Sequence, residues 1–156
     1  SAITIADQIL RIAKSKGKKL TPLQLMKLVY IAHGWSFPIR NCDLFQNRIE
    51  AWKYGPVIPD LYHSTKHFGR SPISLDNVGD PDQPVVDEDT KTFLESVYDV
   101  YGHMSGVALS SLTHQSGTPW AKVYQDGVFN TEITDDLIKN HYNEIYGART
   151  KSSSAA

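Results

Sequence analysis

Leu20–Trp35 reads LTPLQLMKLVYIAHGW. Its first five residues carry a dense set of helix-start signals. Thr21 stands as the N-cap, Pro22 takes the first helical position and Gln24 completes a capping box. Leu20 and Leu25 are spaced as a hydrophobic staple across that start. Beyond it, Leu23, Leu25, Met26, Leu28, Val29, Ile31 and Ala32 cover most of the helix circumference. A helix apolar nearly all round must be surrounded by other elements, so this one is expected at the centre of a helical bundle. Lys27 and Gln24 are read as its one wet edge.

The flanking segments supply the surrounding helices. TIADQILRIAKSKG places Ile5, Ala6, Ile9, Ile12 and Ala13 at helical spacing between a Thr4 cap and a Gly17 stop. Ser1 stands where an initiating methionine would be and is left out of this reading. Pro59 and Asp60 start a helix with Leu61, Tyr62, Thr65 and Phe68 facing inward, ended by Gly69 and Pro72. Asp87 caps a helix through Tyr101, with Thr90, Phe93, Leu94, Val97, Tyr98 and Tyr101 on one face. Ser105, Thr118 and Thr134 cap three more, and Ile133 with Ile138 forms a second staple. Residues 38–49 lack helical period and read as a loop with a short strand pair. Residues 71–84 are turn-rich and polar, the best place for a mobile connector. The expected fold is mainly α: one domain over residues 1–147, about seven helices, at most a short β element near residues 42–54, and a flexible tail at 148–156.

With 156 residues and 40% hydrophobic content, the chain can bury a proper core. No apolar run approaches the roughly 20 residues of a membrane span, and the N-terminus lacks a signal-peptide layout. A single cysteine, Cys42, excludes an internal disulfide and suits a reducing cytoplasm. The net charge of −1 conceals an asymmetry: residues 1–72 carry 11 Lys/Arg against 4 Asp/Glu, and residues 73–156 carry 5 against 13. Because the lysines are scattered, with only Lys14–Lys19 clustered, the two halves are expected to interleave and mix their charges. That cluster also follows a helix C-terminus, where cations are favoured.

Glu50–Gly69, EAWKYGPVIPDLYHSTKHFG, holds the residues that most resemble chemistry. His63 and His67 share i, i+4 spacing, but Ser64 stands where a zinc-protease motif needs glutamate, and no third ligand is spaced to join them. Cys42 has no local catalytic signature, and no glycine-rich phosphate loop or nucleophile elbow is present. The paired acids at 87–89 and 135–136 lie in first helical turns, where negative charge is stabilising in any case. The DNA-reading alternative needs a recognition helix with an exposed polar face, and the helix after Thr21 is too apolar for that role. No enzyme activity, metal or cofactor is therefore expected.

Three blocks taken together resemble a known family. They are LTPLQLMKLVYIAHGW (20–35), IEAWKYGPVIPDLYHSTKHFG (49–69) and LSSLTHQSGTPWAKVY (109–124). In order and spacing they are similar to the Panacea, or SocA-like antitoxin, domain (phage-associated GepA-like proteins), over roughly residues 3–146. The matching positions are Leu25, Lys27, Leu28, Tyr30, Gly34 and Trp35, then Glu50, Ala51, Trp52, Tyr54, Gly55, Pro56, Val57 and Tyr62, then Leu109, Leu112, Thr113, His114, Pro119 and Trp120. Met26 and the SGT spacer depart from the family pattern. The resemblance implies a cytoplasmic protein of a bacterium or phage that neutralises a protein toxin encoded nearby by direct binding. It also raises delivery of that toxin to a AAA+ protease. Some members carry an added DNA-binding domain, for which this length leaves no room. The alternative is a DNA-binding or regulatory protein of a mobile element, though nucleic-acid binding by this chain alone is not expected.

Within EAWKYGPV, Trp52 and Tyr54 are read as large buried side chains with polar tips, and Glu50 as an acceptor for an indole, a tyrosine or an amide. Gly55-Pro56 forces a bend. Exposed His63, Lys66 and His67, with the basic turn Lys16, Lys18 and Lys19, are the expected partner contacts.

Overall fold

The computed structural model describes residues 1–74 and 85–155, with side chains through residue 150. Among these residues the elements run α1 (Ala2–Ser15), α2 (Pro22–Arg40), β1 (Glu50–Trp52), β2 (Gly55–Val57), α3 (Pro59–Thr65) with a following 3₁₀ turn (Lys66–Phe68), α4 (Glu88–Tyr101), α5 (Gly106–Thr113), α6 (Pro119–Val123), β3 (Thr131–Glu132) and α7 (Asp135–Ala155). The mainly α expectation holds. No described helix is long and apolar enough to cross a membrane.

α2 is the axis of the bundle and packs against α1, α3, α4, α5 and α7. Every residue from Leu25 to Phe37 is buried. The capping box forms as read: Thr21 Oγ1 accepts from Gln24 N, and Gln24 Oε1 accepts from Thr21 N at 2.9 Å. The helix continues to Arg40, past the boundary expected at Trp35. Pro38 lies inside it, in the last turn: it supplies no N–H to Gly34 O, and only two more residues follow before the helix closes. Asn41, in the left-handed conformation at φ 56°, closes the helix by donating to Phe37 O.

Two expectations about the wet edge reverse. Lys27 is 1% exposed, whereas Leu23 is 39% exposed. Three of the four helical neighbours of Lys27 at three and four residues (Leu23, Tyr30 and Ile31, against Gln24) are largely apolar, which places its stem among core side chains. At the N-terminus, Ser1 rather than Thr4 caps α1, its Oγ accepting from Thr4 N. Thr4 therefore lies within the first turn.

The strands fall slightly later than expected. β1 and β2 form a hairpin with a two-residue loop, Lys53-Tyr54, and β3 adds to the other side of β1, giving the antiparallel order β2-β1-β3. Gly55, at φ +117°, lets the chain turn where any L side chain would be strained. Ile73 is buried and its N–H bonds Leu20 O at 2.8 Å, so the start of the 71–84 connector is tied down; residues 75–84 lie outside the described part.

At the other end, α7 runs beyond residue 147, where the tail was expected to begin. Thr150 Oγ1 donates to Tyr146 O, and the Arg149 guanidinium lies 4.9 Å from the Trp35 ring centroid. α7 reaches α2 closely because Gly34 has no side chain; a methyl there would overlap the Tyr142 ring. Opposite charges from the two halves of the chain meet in the pairs Lys16–Asp99 and Arg48–Glu132, as the interleaved reading requires.

Candidate protein-recognition site

The hairpin gathers most of the residues that stood out in the sequence. Its alternate carbonyls are each held by a side chain from a different helix. Trp120 Nε1 of α6 donates to Trp52 O at 2.6 Å, and Ser110 Oγ of α5 donates to Tyr54 O at 2.6 Å. Lys27 Nζ of α2 donates to Pro56 O at 2.8 Å. The three sequence blocks thus converge on three backbone acceptors. An unpaired carbonyl left under a hairpin costs about 1–3 kcal/mol, so each anchor has a reason to be the residue it is.

Around the anchors the supporting contacts close. Thr113 Oγ1 turns back onto Leu109 O and Ser110 O within α5. His114 Nδ1 is 3.5 Å from Ser110 Oγ, and its ring meets Trp120 edge-on at 5.3 Å. Pro119 sits buried at the first position of α6 behind the Thr118 cap. Gly55 leaves space for the lysine: a Cβ there would stand 2.9 Å from Lys27 Nζ. Glu50 is the acceptor that the sequence suggested, and the donor is an indole: Trp52 Nε1 bonds its Oε1 at 3.0 Å. Arg48, which sequence reading passed over, bonds the other oxygen at 2.8 Å and also Asn130 O at 2.9 Å, clamping β1 to the β3 side.

Lys27 is the unusual member of this set. Burial pushes its ammonium down from 10.5 to about 7, so near neutrality it carries its charge only part of the time. Its bond to Pro56 O keeps the nitrogen satisfied in an apolar site.

The outer side of the hairpin differs from the expectation in part. Tyr54 is 69% exposed, with Lys53 Nζ 5.6 Å from its ring centroid, and Tyr62 on α3 is also exposed. Only the backbone of Tyr54 is held; the loop position turns its ring out to solvent. Trp52 is half-buried and meets the Tyr62 ring edge-on at 4.9 Å. Between hairpin, α3 and the start of α2 lies a recess of about 410 Å³ walled by Leu23, Met26, Trp52, Val57 and Tyr62. Among the described residues, three lysines, Lys27, Lys53 and Lys66, line it and no carboxylate does.

His63, Lys66 and His67 are exposed, as are Lys16, Lys18 and Lys19. The two groups flank the start of α2: Lys66 lines the recess with Pro22 and Leu23, while Lys16, Lys18 and Lys19 line a shallower one with Leu20 and Gln24. His63 and His67 do not form a pair. The helix tightens to 3₁₀ at Lys66, which breaks the i, i+4 register, and each ring lies against its aromatic neighbour, Tyr62 and Phe68. No cluster of three metal-ligating side chains occurs among the described residues. Cys42 is exposed, 3.9 Å from Ser36 Oγ. His33 is fully buried, its Nδ1 accepting from Leu44 N and its Nε2 donating to Asp135 Oδ1 at 2.8 Å, which ties α2 to the start of α7.

Fold and site together define a helical scaffold that displays a β-hairpin held from beneath by three helices. The chain belongs to the family described as "Antitoxin SocA-like, Panacea domain", which matches residues 25–121. That span contains every anchor of the hairpin and is narrower than the 3–146 resemblance read from the blocks. A full-length comparison reaches further: the chain is 29% identical over 153 residues to Antitoxin SocA of Caulobacter vibrioides (strain NA1000 / CB15N), covering 90% of this chain and 81% of that relative. No solved structure matches the chain.

Proposed function

We propose that this protein neutralises a protein toxin by direct, stoichiometric binding, as an inhibitor and not as an enzyme. Membership of the antitoxin family carries the reading. The face formed by the hairpin loop and α3 supports it. Tyr54 and Tyr62 offer large amphipathic contact area, and Lys53 and Lys66 supply positive charge beside an apolar recess. Tyrosine-rich patches with cations at the margin are the composition that protein interfaces favour. Such a face binds acidic, apolar surface on a toxin, with the lysines raising the association rate.

The test is co-expression with the toxin gene encoded beside this chain. Restored growth together with a stable purified complex is the expected result; growth arrest that persists with no complex would sink the reading. Delivery of the toxin to a AAA+ protease is the adaptor form of the same binding. It is distinguished by toxin half-life, which falls on antitoxin expression only when the protease is present.

A further inference from the structure

A larger concavity than the hairpin recess lies away from it. It is a groove of about 740 Å³ between α2, α4 and α7. Phe93, Val97 and Tyr101 of α4 with Trp35 of α2 form its floor. Ile39, Val100 and Tyr146 stand on its walls at 54%, 56% and 45% exposure, apolar surface that the fold itself leaves in water. Trp35 Nε1 donates to Tyr101 OH at 2.9 Å, so the polar groups of the floor satisfy each other and present rings to the groove.

Two cations are fixed over this floor. The Arg40 guanidinium lies 5.5 Å from the Phe93 centroid and that of Arg149 lies 4.9 Å from the Trp35 centroid. Among the described residues neither makes a salt bridge, although Arg40 is near enough to Asp87 to help hold that carboxyl below its usual range. Asp89 lines the Arg40 end, so the Arg149 end is the more positive.

We propose that this groove is a second docking site for the toxin, and that its occupant is an amphipathic helix with carboxylates flanking its apolar face. The inference rests on the reading of the chain as a toxin-binding protein. The occupant is helical because the groove offers side chains and no sheet edge: β1, β2 and β3 lie outside it. An extended segment would press unpaired amides onto aromatic rings, whereas a helix satisfies its own backbone. Its charges follow from the arginines. Phe93 pairs with Arg40, and Tyr101 bonds Trp35 under Arg149; along α4 these points are separated by about 12 Å at 1.5 Å per residue. A partner helix meets both guanidiniums with acidic residues seven or eight positions apart, at the margins of a stripe recurring every three or four residues.

The experiment uses the full chain and the toxin encoded beside it, with affinity measured by titration calorimetry. Val100→Glu puts a charge on the exposed groove wall and is expected to weaken binding about 30-fold or more, the scale of an interface hot spot. Val107→Glu, at a still more exposed position on α5 outside the groove, is expected to leave affinity unchanged. Arg149→Glu is expected to lower affinity about tenfold and to flatten its salt dependence. Hydrogen exchange on the complex is expected to protect a toxin helix with the acidic spacing given above. Wild-type affinity in Val100→Glu, or a protected segment without that pattern, overturns the groove while leaving toxin neutralisation standing. If Val100→Glu instead abolishes self-association and leaves toxin binding intact, the groove belongs to a second copy of this chain and the proposal falls. A wild-type chain that binds no toxin brings down both readings together.

Discussion

The hairpin and the α2–α4–α7 groove are built on opposite plans. Beneath the hairpin, polar side chains from three helices meet backbone acceptors at 2.6 to 2.8 Å, with the conspicuous residues of the sequence spent on holding one turn. Apart from Trp35, the groove is made of anonymous aliphatic and aromatic residues whose exposure no local motif announces. The contrast teaches that the residues by which this chain is recognised are largely scaffold. The groove walls Ile39, Val100 and Tyr146 are positions that look ordinary in sequence, whereas the outer side of the hairpin shows Tyr54 and Tyr62 from the recognised blocks.

That contrast predicts stability effects at the hairpin anchors and affinity effects at the exposed walls. The largest stability effect is tied to pH. The folded-state value for Lys27, about 7, lies below its unfolded value of 10.5, so between these limits the unfolded chain binds more protons. Stability should therefore rise with pH from about 7 to 10.5, with the full cost of burying the charge present below 7. Measured as the difference between wild type and Lys27→Met in urea unfolding at pH 6 and pH 10, the swing is at most about 4 kcal/mol. A flat difference would mean that Lys27 is solvated.

Next is Gly34→Ala, which drives a methyl into the Tyr142 ring and separates α7 from α2. Thermal unfolding should show a loss of about 2–3 kcal/mol. Because α7 forms one wall of the groove, this variant should weaken toxin binding as well. Ser110→Ala leaves Tyr54 O without its donor and should cost about 1–2 kcal/mol by denaturant unfolding. Tyr54→Ala, at a ring 69% exposed, should move stability by less than about 0.5 kcal/mol yet weaken toxin binding. Unaltered affinity in that variant would remove the hairpin loop from the interface.

Much of the architecture was legible beforehand. The caps at Thr21, Asp87, Ser105 and Thr118 all form, because capping is settled within a few residues of chain. The inward face of α4 was read correctly through Tyr98, since its period is regular and one side is wet, while Tyr101 at its end is only half-buried. Pro38 misled because a proline removes one bond to the preceding turn without stopping the residues after it from finishing the last turn. Tyr54 misled because its backbone is anchored while its ring is not. Lys27 misled because a single charge in an apolar helix reads as the solvent edge. Only the position of Pro56 O across the core shows why it can be buried instead.

By itself, the sequence determined the family, the helical order and the central place of α2, all properties carried by local spacing and by one apolar segment that had to be covered. The tertiary structure decided which reactive-looking groups are anchors and which are surface. Lys27, Ser110 and Trp120 lie far apart in the chain, and their common task exists only where α2, α5 and α6 bring them under one hairpin. The groove has the same origin: Trp35, Phe93 and Arg149 acquire a shared function only when three helices pack side by side and leave the space between them open.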